Sequence, residues 1–277
     1  MRRRGFACLV LLGSLIVSGA QAEMDAMPVR SFDRFEFDTV TAHGAWVEVA
    51  TALSRKEENR ASADVITVEP RLVYGGDLAE GGLIIPYHQI SLGVPSFFGQ
   101  FSRDENGIGD IRLYGKVVPL RTKWFDGGLG LDLSFPSGDE HKGLGAGVVG
   151  FLPYGMAAVH LGSADLRAHF GYRAFAGSNE DFLGRDSAPN SFVYGGGVFA
   201  ALGTFFGVRA ELVGESLDAL RSADLLAFEP GVDIRVPLGA VDLLLRPTGA
   251  VGLTDDAPDW GIGGSVGLAW NPNRSSQ

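Results

Sequence analysis

The stretch PDWGIGGSVGLAW, from Pro258 to Trp270, alternates strictly. Trp260, Ile262, Gly264, Val266, Leu268 and Trp270 fall on one side, and Asp259, Gly261, Gly263, Ser265, Gly267 and Ala269 on the other. Strand side chains point to opposite faces with a period of two, so this is a strand with one apolar face and one face of small or polar residues. An aromatic residue stands at each end of the apolar face. Aromatic rings with a polar edge favour the two boundaries between hydrocarbon and water. The stretch predicts the closing strand of a membrane-spanning β-barrel, with Trp260, Ile262, Val266, Leu268 and Trp270 turned outward.

Working back along the chain, the same two-faced pattern recurs. Val47, Val49, Thr51 and Leu53 oppose Trp46 and Glu48; Ile66, Val68, Leu72 and Tyr74 oppose Thr67, Glu69 and Arg71. Ile111, Leu113 and Val117 oppose Asp110, Arg112, Tyr114 and Lys116, and Leu129, Leu131, Leu133 and Phe135 oppose Asp132. Further on, the polar faces carry Arg167, His169 and Arg173, then Arg209 and Glu211, then Glu229, Asp233 and Arg235, and finally Asp242 and Arg246. Two segments resist a facing. Around Gly82 to Gly93, Ile84 and Ile85 are adjacent and Pro86 breaks the ladder, which suggests a bulge. Gly145 to His160 is rich in glycine and aromatics, with Pro153 inside it. The stretches SRKEENRASA and Val94–Gly107 read as polar loops, the second carrying Phe97, Phe98 and Phe101 as a gate or a rim contact.

The expected fold class is therefore all-β: a closed antiparallel transmembrane β-barrel of about twelve strands, an even number as bacterial barrels have. The alternative is a soluble β-sandwich, which would point the apolar faces inward. Aromatic residues near strand ends and charges of both signs on the opposite face favour the membrane sense. The charged face then lines the lumen, as a selectivity lining or as a structural ladder of ion pairs. Twelve strands lie between the small barrels that side chains fill and the large ones that hold a water channel.

The N-terminus predicts export. Arg2 to Arg4 form a basic start, Gly5 to Gly19 an apolar run, and Ala20-Gln21-Ala22 a small-residue cleavage site, the three parts of a secretory signal. The expected layout is signal peptide 1–22, periplasmic lead-in 23–42, barrel 43–270 and tail 271–277. Phe32, Phe35 and Phe37 in the lead-in either extend the first strand or plug an end. The apolar run is short of the ~20 residues a spanning helix needs. The one cysteine of the 277 residues, Cys8, leaves with the signal, so no disulfide is expected. Removing three arginines leaves 20 basic against 33 acidic residues, a formal charge of -13. Such a chain is a poor partner for nucleic acid.

Several stretches resemble a known family. NGIGDIRLYGKVVPL (Asn106–Leu120) resembles its G-x-G-D strand with a following lysine, and LDLSFPSGDEHKGLGAG (Leu131–Gly147) its apolar strand ending in Pro-Ser-Gly-Asp. HFGYRAF (His169–Phe175) and the C-terminal GLTDDAPDWGIGGSVGLAW are similar to its later strands. The family is the outer-membrane transporters of the "MetA-pathway of phenol degradation" type. The resemblance implies a bacterial outer-membrane barrel for aromatic or other small compounds, without catalytic residues or cofactor. The tail NPNRSSQ after Trp270 departs from barrels that end on the closing aromatic.

No motif carries an enzyme. Gly107–Asp110 lacks the glycine spacing and following helix of a nucleotide loop, and Pro136–Asp139 reads as a turn. The acidic pairs Asp139–Glu140 and Asp255–Asp256 are solvated loop charge or divalent-cation contacts to lipopolysaccharide. His43, His88, His141, His160 and His169 are dispersed, and no serine is spaced to pair with His88 or His160 as in an outer-membrane lipase. The expected function is a channel for small solutes, with the cell outer membrane as location. Lipid, lipopolysaccharide and the barrel-assembly machinery are its expected partners, no cofactor or metal is expected, and the termini should be periplasmic. The alternatives are a non-conducting structural or surface-interaction barrel and, behind it, a lipid-modifying enzyme.

Overall fold

The computed structural model describes residues 38–40, 42, 44–58, 61–96, 99–176, 190–217 and 224–270. The expected signal peptide, the expected lead-in up to Phe37, His43, Phe97, Phe98, the stretch 177–189 and the tail 271–277 lie outside the described residues.

Among the described residues, fourteen strands make one antiparallel sheet that closes on itself. They are β1 (Gly44–Glu58), β2 (Ala61–Gly75), β3 (Ala79–Ile84), β4 (Tyr87–Ser96), β5 (Gly99–Ile108), β6 (Ile111–Arg121) and β7 (Phe125–Phe135). There follow β8 (Val149–Leu161), β9 (Ala164–Ala176), β10 (Ser191–Ala201), β11 (Phe206–Leu217), β12 (Asp224–Leu238), β13 (Val241–Gly252) and β14 (Trp260–Trp270). Closure is the pairing of β14 with β1, from Ala45↔Trp270 to Arg55↔Trp260. Because β3 and β4 both pair with β2, they are two parts of one stave. In the same way β5 and β6 pair with β4 and β3 respectively and form the next stave. The result is a closed antiparallel barrel of twelve staves.

The predicted bulge at Pro86 is a full break. Ile85–Pro86 interrupts one stave and Gly109–Asp110 the other, at the same height. The wall stays bonded there: Ile85 N–H donates to Pro70 O at 3.0 Å and Gly109 N–H to Pro86 O at 2.8 Å. Two stretches expected to be loops are strand. Ser54–Glu58 and Ala61–Ala63 of SRKEENRASA belong to the ends of β1 and β2, and Val94–Ser96 and Gly99–Gly107 to β4 and β5. Ser54–Glu58 and Ser102–Gly107 consist of polar residues and glycine at every position, so no apolar alternation marks them.

The barrel is inside-out relative to a soluble one. Tyr74, Leu129 and Ile262 are 70%, 65% and 59% exposed, whereas Arg71 and Asp233 are 2% and 0% exposed. Trp260, Val266, Leu268 and Trp270 join this outward belt. An apolar belt of this extent needs hydrocarbon against it, and the 11-residue staves β7, β10 and β14 match the length of a tilted membrane-spanning strand. One rim carries the short connections 76–78, 122–124, 162–163, 202–205 and 239–240; the other carries the longer connections 136–148, 177–190, 218–223 and 253–259, together with the extended hairpin ends of β1–β2 and β4–β5. Gly162 (φ 77°) and Gly239 (φ 75°) supply the left-handed backbone that two of these tight turns require.

Candidate functional site: the barrel interior

The interior is built on charge. Arg71 donates through Nε (3.2 Å) and Nη2 (2.6 Å) to Glu69 Oε2, and through Nη1 (3.2 Å) to Glu48 Oε1. The other Glu48 oxygen accepts from Arg246 Nη1 at 3.2 Å. Arg246 Nε lies 3.0 Å from Asp233 Oδ1, and Asp233 Oδ2 accepts from Arg209 Nη1 at 2.8 Å. Arg209 Nε is 3.3 Å from Glu211 Oε1. One continuous chain of alternating charge thus runs across β2, β1, β13, β12 and β11.

Between β1 and β13 that chain has to pass β14. It does so because the inner face of β14 is Gly261, Gly263, Ser265, Gly267 and Ala269, which leaves room for Arg246 to reach Glu48 over the intervening stave. A Cβ at Gly267 would stand 2.8 Å from Trp46 Nε1 and 3.3 Å from Glu48 Cβ. Arg246 also stacks on Trp46, 4.5 Å from guanidinium carbon to ring centroid. The small face that identified the closing strand is therefore also the gap through which the charge layer closes. Gly231 plays the same part on β12, where a Cβ would stand 2.5 Å from the Arg209 guanidinium.

The other predicted inner-face residues divide into separate pairs. Arg112 Nη2 donates to Asp132 Oδ2 at 2.5 Å, Arg235 Nε to Asp242 Oδ2 at 2.9 Å, and Arg173 Nη1 to Glu215 Oε1 at 2.5 Å. Glu229 is buried, facing Glu211 across the β11–β12 ladder. The ring of His169 lies over Gly195, where a Cβ would come within 2.6 Å of it. Asp110 has a different task. Its carboxylate accepts from Gly138 N (3.0 Å) and Ala146 N (2.7 Å), fastening loop 136–148 at the break between β5 and β6.

Sequence reading missed part of this set. Glu48 and Asp165 were legible as polar-faced, but their partners were not; Glu80, Asp126 and Glu215 sit near strand ends, where alternation is short. The unassigned histidines also face inward. His88 Nδ1 is 3.0 Å from Thr67 Oγ1, and His160 lies 2.8 Å from Asp165 and 3.3 Å from Asp126. Neither stands on the lipid-facing surface.

At the short-turn rim the chain preceding β1 enters the barrel mouth. Asp38, Thr39 and Ala42 are buried. Lys116 Nζ donates to the carbonyls of Asp38 and Val40, both at 2.8 Å, and also faces Glu80 at 3.2 Å. Arg121 Nη2 donates to Thr39 O at 3.2 Å, Arg167 Nη1 to Asp38 Oδ2 at 2.6 Å, and Ala42 N to Glu80 Oε2 at 2.5 Å. This strap is a peptide held by side chains of β3, β6 and β9. Above it Trp46, Val73, Ile84, Tyr114 and Leu244 form one apolar cluster with Ala42, and Leu152, Tyr154, Met156 and Val193 form another on β8 and β10.

Toward the loop rim the packing opens into a chamber of about 330 Å³. Its walls include Ala50, Ala52, Ser54, Thr67, Glu69, Arg71, His88, Val213, Glu215, Ala227, Glu229, Thr248 and Ala250. The floor is the charge layer.

The sequence matches no family model and no curated relative. Among solved structures it is similar to an outer membrane channel from Pseudomonas putida F1, with a TM-score of 0.61 at 13% identity over 87% of this chain and 99% of that one. It is similar to the β-domain of the Bordetella autotransporter Brka, with a TM-score of 0.52 at 13% identity over 83% of this chain and 99% of that one. The translocator domain of the autotransporter NalP from Neisseria meningitidis gives a TM-score of 0.50 at 14% identity, over 83% and 89% of the two chains. At these identities the likeness is one of fold, and the fold is that of outer-membrane β-barrels.

Proposed function

We propose that the protein is an outer-membrane channel for small solutes, closed at rest. The observation that carries this reading is the solute-sized chamber, which opens toward the loop rim and ends on non-covalent closures. Below it lie the charge layer and the strap, both made of contacts that water can replace. The loop rim then faces outside, and the termini on the short-turn rim face the periplasm. Lipid and lipopolysaccharide surround the belt, and the barrel-assembly machinery inserts it. The resemblance to aromatic-compound transporters supports a small, partly apolar solute.

A second reading has its own observation. Asp233, Arg209, Arg71 and Arg246 are buried as completely as a protein core, which favours a non-conducting barrel whose loops do the work. Planar-bilayer recording separates the two. The refolded mature chain is compared with the double variant Lys116→Ala/Arg246→Ala, which loosens both closures. Steady ion conductance in the double variant supports the channel. Silence in both, with the barrel shown intact by heat-shifted gel migration, favours the second reading.

A further inference from the structure

We infer that the strap is a pH-set latch, with His160 as the group that reads the pH. The inference rests on the contacts that hold the strap, and on the channel reading only for what release of the strap would permit. His160 stands at the short-turn end of β8, partly exposed. Both of its ring nitrogens face carboxylates. Nδ1 is 2.8 Å from Asp165 Oδ1 on β9, and Nε2 is 3.3 Å from Asp126 Oδ2 on β7. Each of those carboxylates neighbours a guanidinium that holds the strap. Asp165 Oδ2 accepts from Arg167 Nη2 at 2.5 Å, and Arg167 Nη1 donates to Asp38 Oδ2 at 2.6 Å. Asp126 stands opposite Arg121 in the β6–β7 ladder, and Arg121 Nη2 donates to Thr39 O at 3.2 Å. One histidine thus sits between two anchors of the strap.

A neutral imidazole carries a single N–H, so with carboxylates at both nitrogens one carboxylate would face a lone pair; an imidazolium donates to both. The arrangement is therefore that of the charged ring. In that state the carboxylates of Asp126, Asp165 and Asp38 are set against the cations His160, Arg167 and Arg121. Loss of the ring proton removes one of those cations. Asp165 and Asp126 then draw on Arg167 and Arg121, the two guanidiniums they share with Asp38 and Thr39. Hydrogen bonds between charged partners are the strong ones, so this competition loosens the strap. The other anchor, Lys116, is 3.2 Å from Glu80 and donates to the carbonyls of Asp38 and Val40. Lysine and arginine ordinarily keep their charge throughout the range in which histidine titrates. Histidine changes charge between about pH 5 and about pH 8, so the strap is held on the acid side of that change and loosened on the alkaline side.

The test follows the strap itself. The mature chain has no cysteine once Cys8 leaves with the signal, so Val40→Cys carries a single nitroxide label. Its mobility is read by electron paramagnetic resonance on the full mature chain refolded in a non-ionic detergent, from about pH 5 to about pH 9. The mobile fraction should rise several-fold through the histidine range. His160→Gln, neutral throughout, should show the loosened strap at every pH, and His160→Arg, charged throughout, the held strap at every pH. Each variant is checked for unchanged heat-shifted migration, and either one decides the matter if the other does not fold. A flat response in the parent, a response of opposite sign, or one that survives in His160→Gln or His160→Arg overturns the inference. If the label responds as expected and no variant conducts at any pH, the latch stands and the channel reading fails. If Lys116→Ala/Arg246→Ala conducts while the label ignores pH, the latch fails and the channel reading stands.

Discussion

Replacing Arg246 by alanine should destabilise the barrel by about 3 kcal/mol, and the size of that cost reports whether the mid-barrel is dry. Arg246 is 2% exposed, 3.2 Å from Glu48 and 3.0 Å from Asp233, with Trp46 under its guanidinium. Removing one partner of a buried ion pair costs roughly 3–5 kcal/mol because a charge is left uncompensated. Here each acid keeps one cation: Glu48 retains Arg71 and Asp233 retains Arg209. That argues for the low end of the range, with the lost Trp46 contact contributing within it. The assay is urea unfolding of protein refolded into lipid vesicles, read by heat-shifted migration. Glu48→Gln added to Arg246→Ala should cost less than the sum of the two single changes, by about 0.5–3 kcal/mol of coupling as expected for residues in contact. A cost below about 1 kcal/mol with additive effects would refute the reasoning. It would mean that the pairs are screened as at a surface, and that the layer is hydrated rather than packed.

Three other expectations are more local. Brominated lipid should quench single-tryptophan variants that keep Trp260 or Trp270, 40% and 47% exposed on the belt, and should leave one that keeps only Trp46, 6% exposed inside, unquenched. Gly130→Val should destabilise by about 1–3 kcal/mol through overpacking, because a Cβ there would collide with the hydroxyl end of the Tyr154 ring; Tyr154→Ala should restore part of the loss in the same unfolding assay. Asp110→Ala removes the acceptor for Gly138 N and Ala146 N, so trypsin should cleave after Lys142 faster while the barrel core resists.

What the sequence showed, and what it hid, follows from which faces differ in polarity. β11 to β13 were legible because lipid lies on one side and ion pairs on the other, so Phe206, Val208 and Leu212 alternate with Arg209 and Glu211; β14 was legible because its inner face is small residues only. β8 was not, because its inner face is apolar too: Leu152, Tyr154, Met156 and Ala158 are buried inside, while Phe151 and Val159 are exposed outside. With both faces apolar, periodicity vanishes although the strand is regular. Ser54–Glu58 and Ser102–Gly107 failed for the opposite reason, since neither face of those stretches is apolar. Asp132, Arg235 and Asp242 could be assigned to the inner face by parity alone. Their partners depended on register across staves, which a single sequence does not contain. The strap was harder still, since Asp38 to Ala42 have no period and are held by residues 38 to 129 positions away.

The interior is asymmetric, and that sets how it can open. The charge layer occupies the arc β2–β1–β14–β13–β12–β11, directly under the chamber, while the apolar cluster of Leu152, Tyr154, Met156 and Val193 fills the side of β8 and β10. Water can replace ion pairs more readily than it can enter an apolar cluster, so a path through the barrel follows the charged arc. The strap lies below and is anchored on β3, β6 and β9, so in the proposed channel it acts as a closure independent of the layer. Two closures in series transmit no more than the tighter one allows. Lys116→Ala releases the strap carbonyls but leaves the layer; Arg246→Ala opens the layer but leaves the strap. Each alone should raise single-channel conductance little, and the double variant should exceed the sum of the two increments. Full conductance from Lys116→Ala alone would show that the layer is already permeable, and full conductance from Arg246→Ala alone that the strap does not seal the mouth.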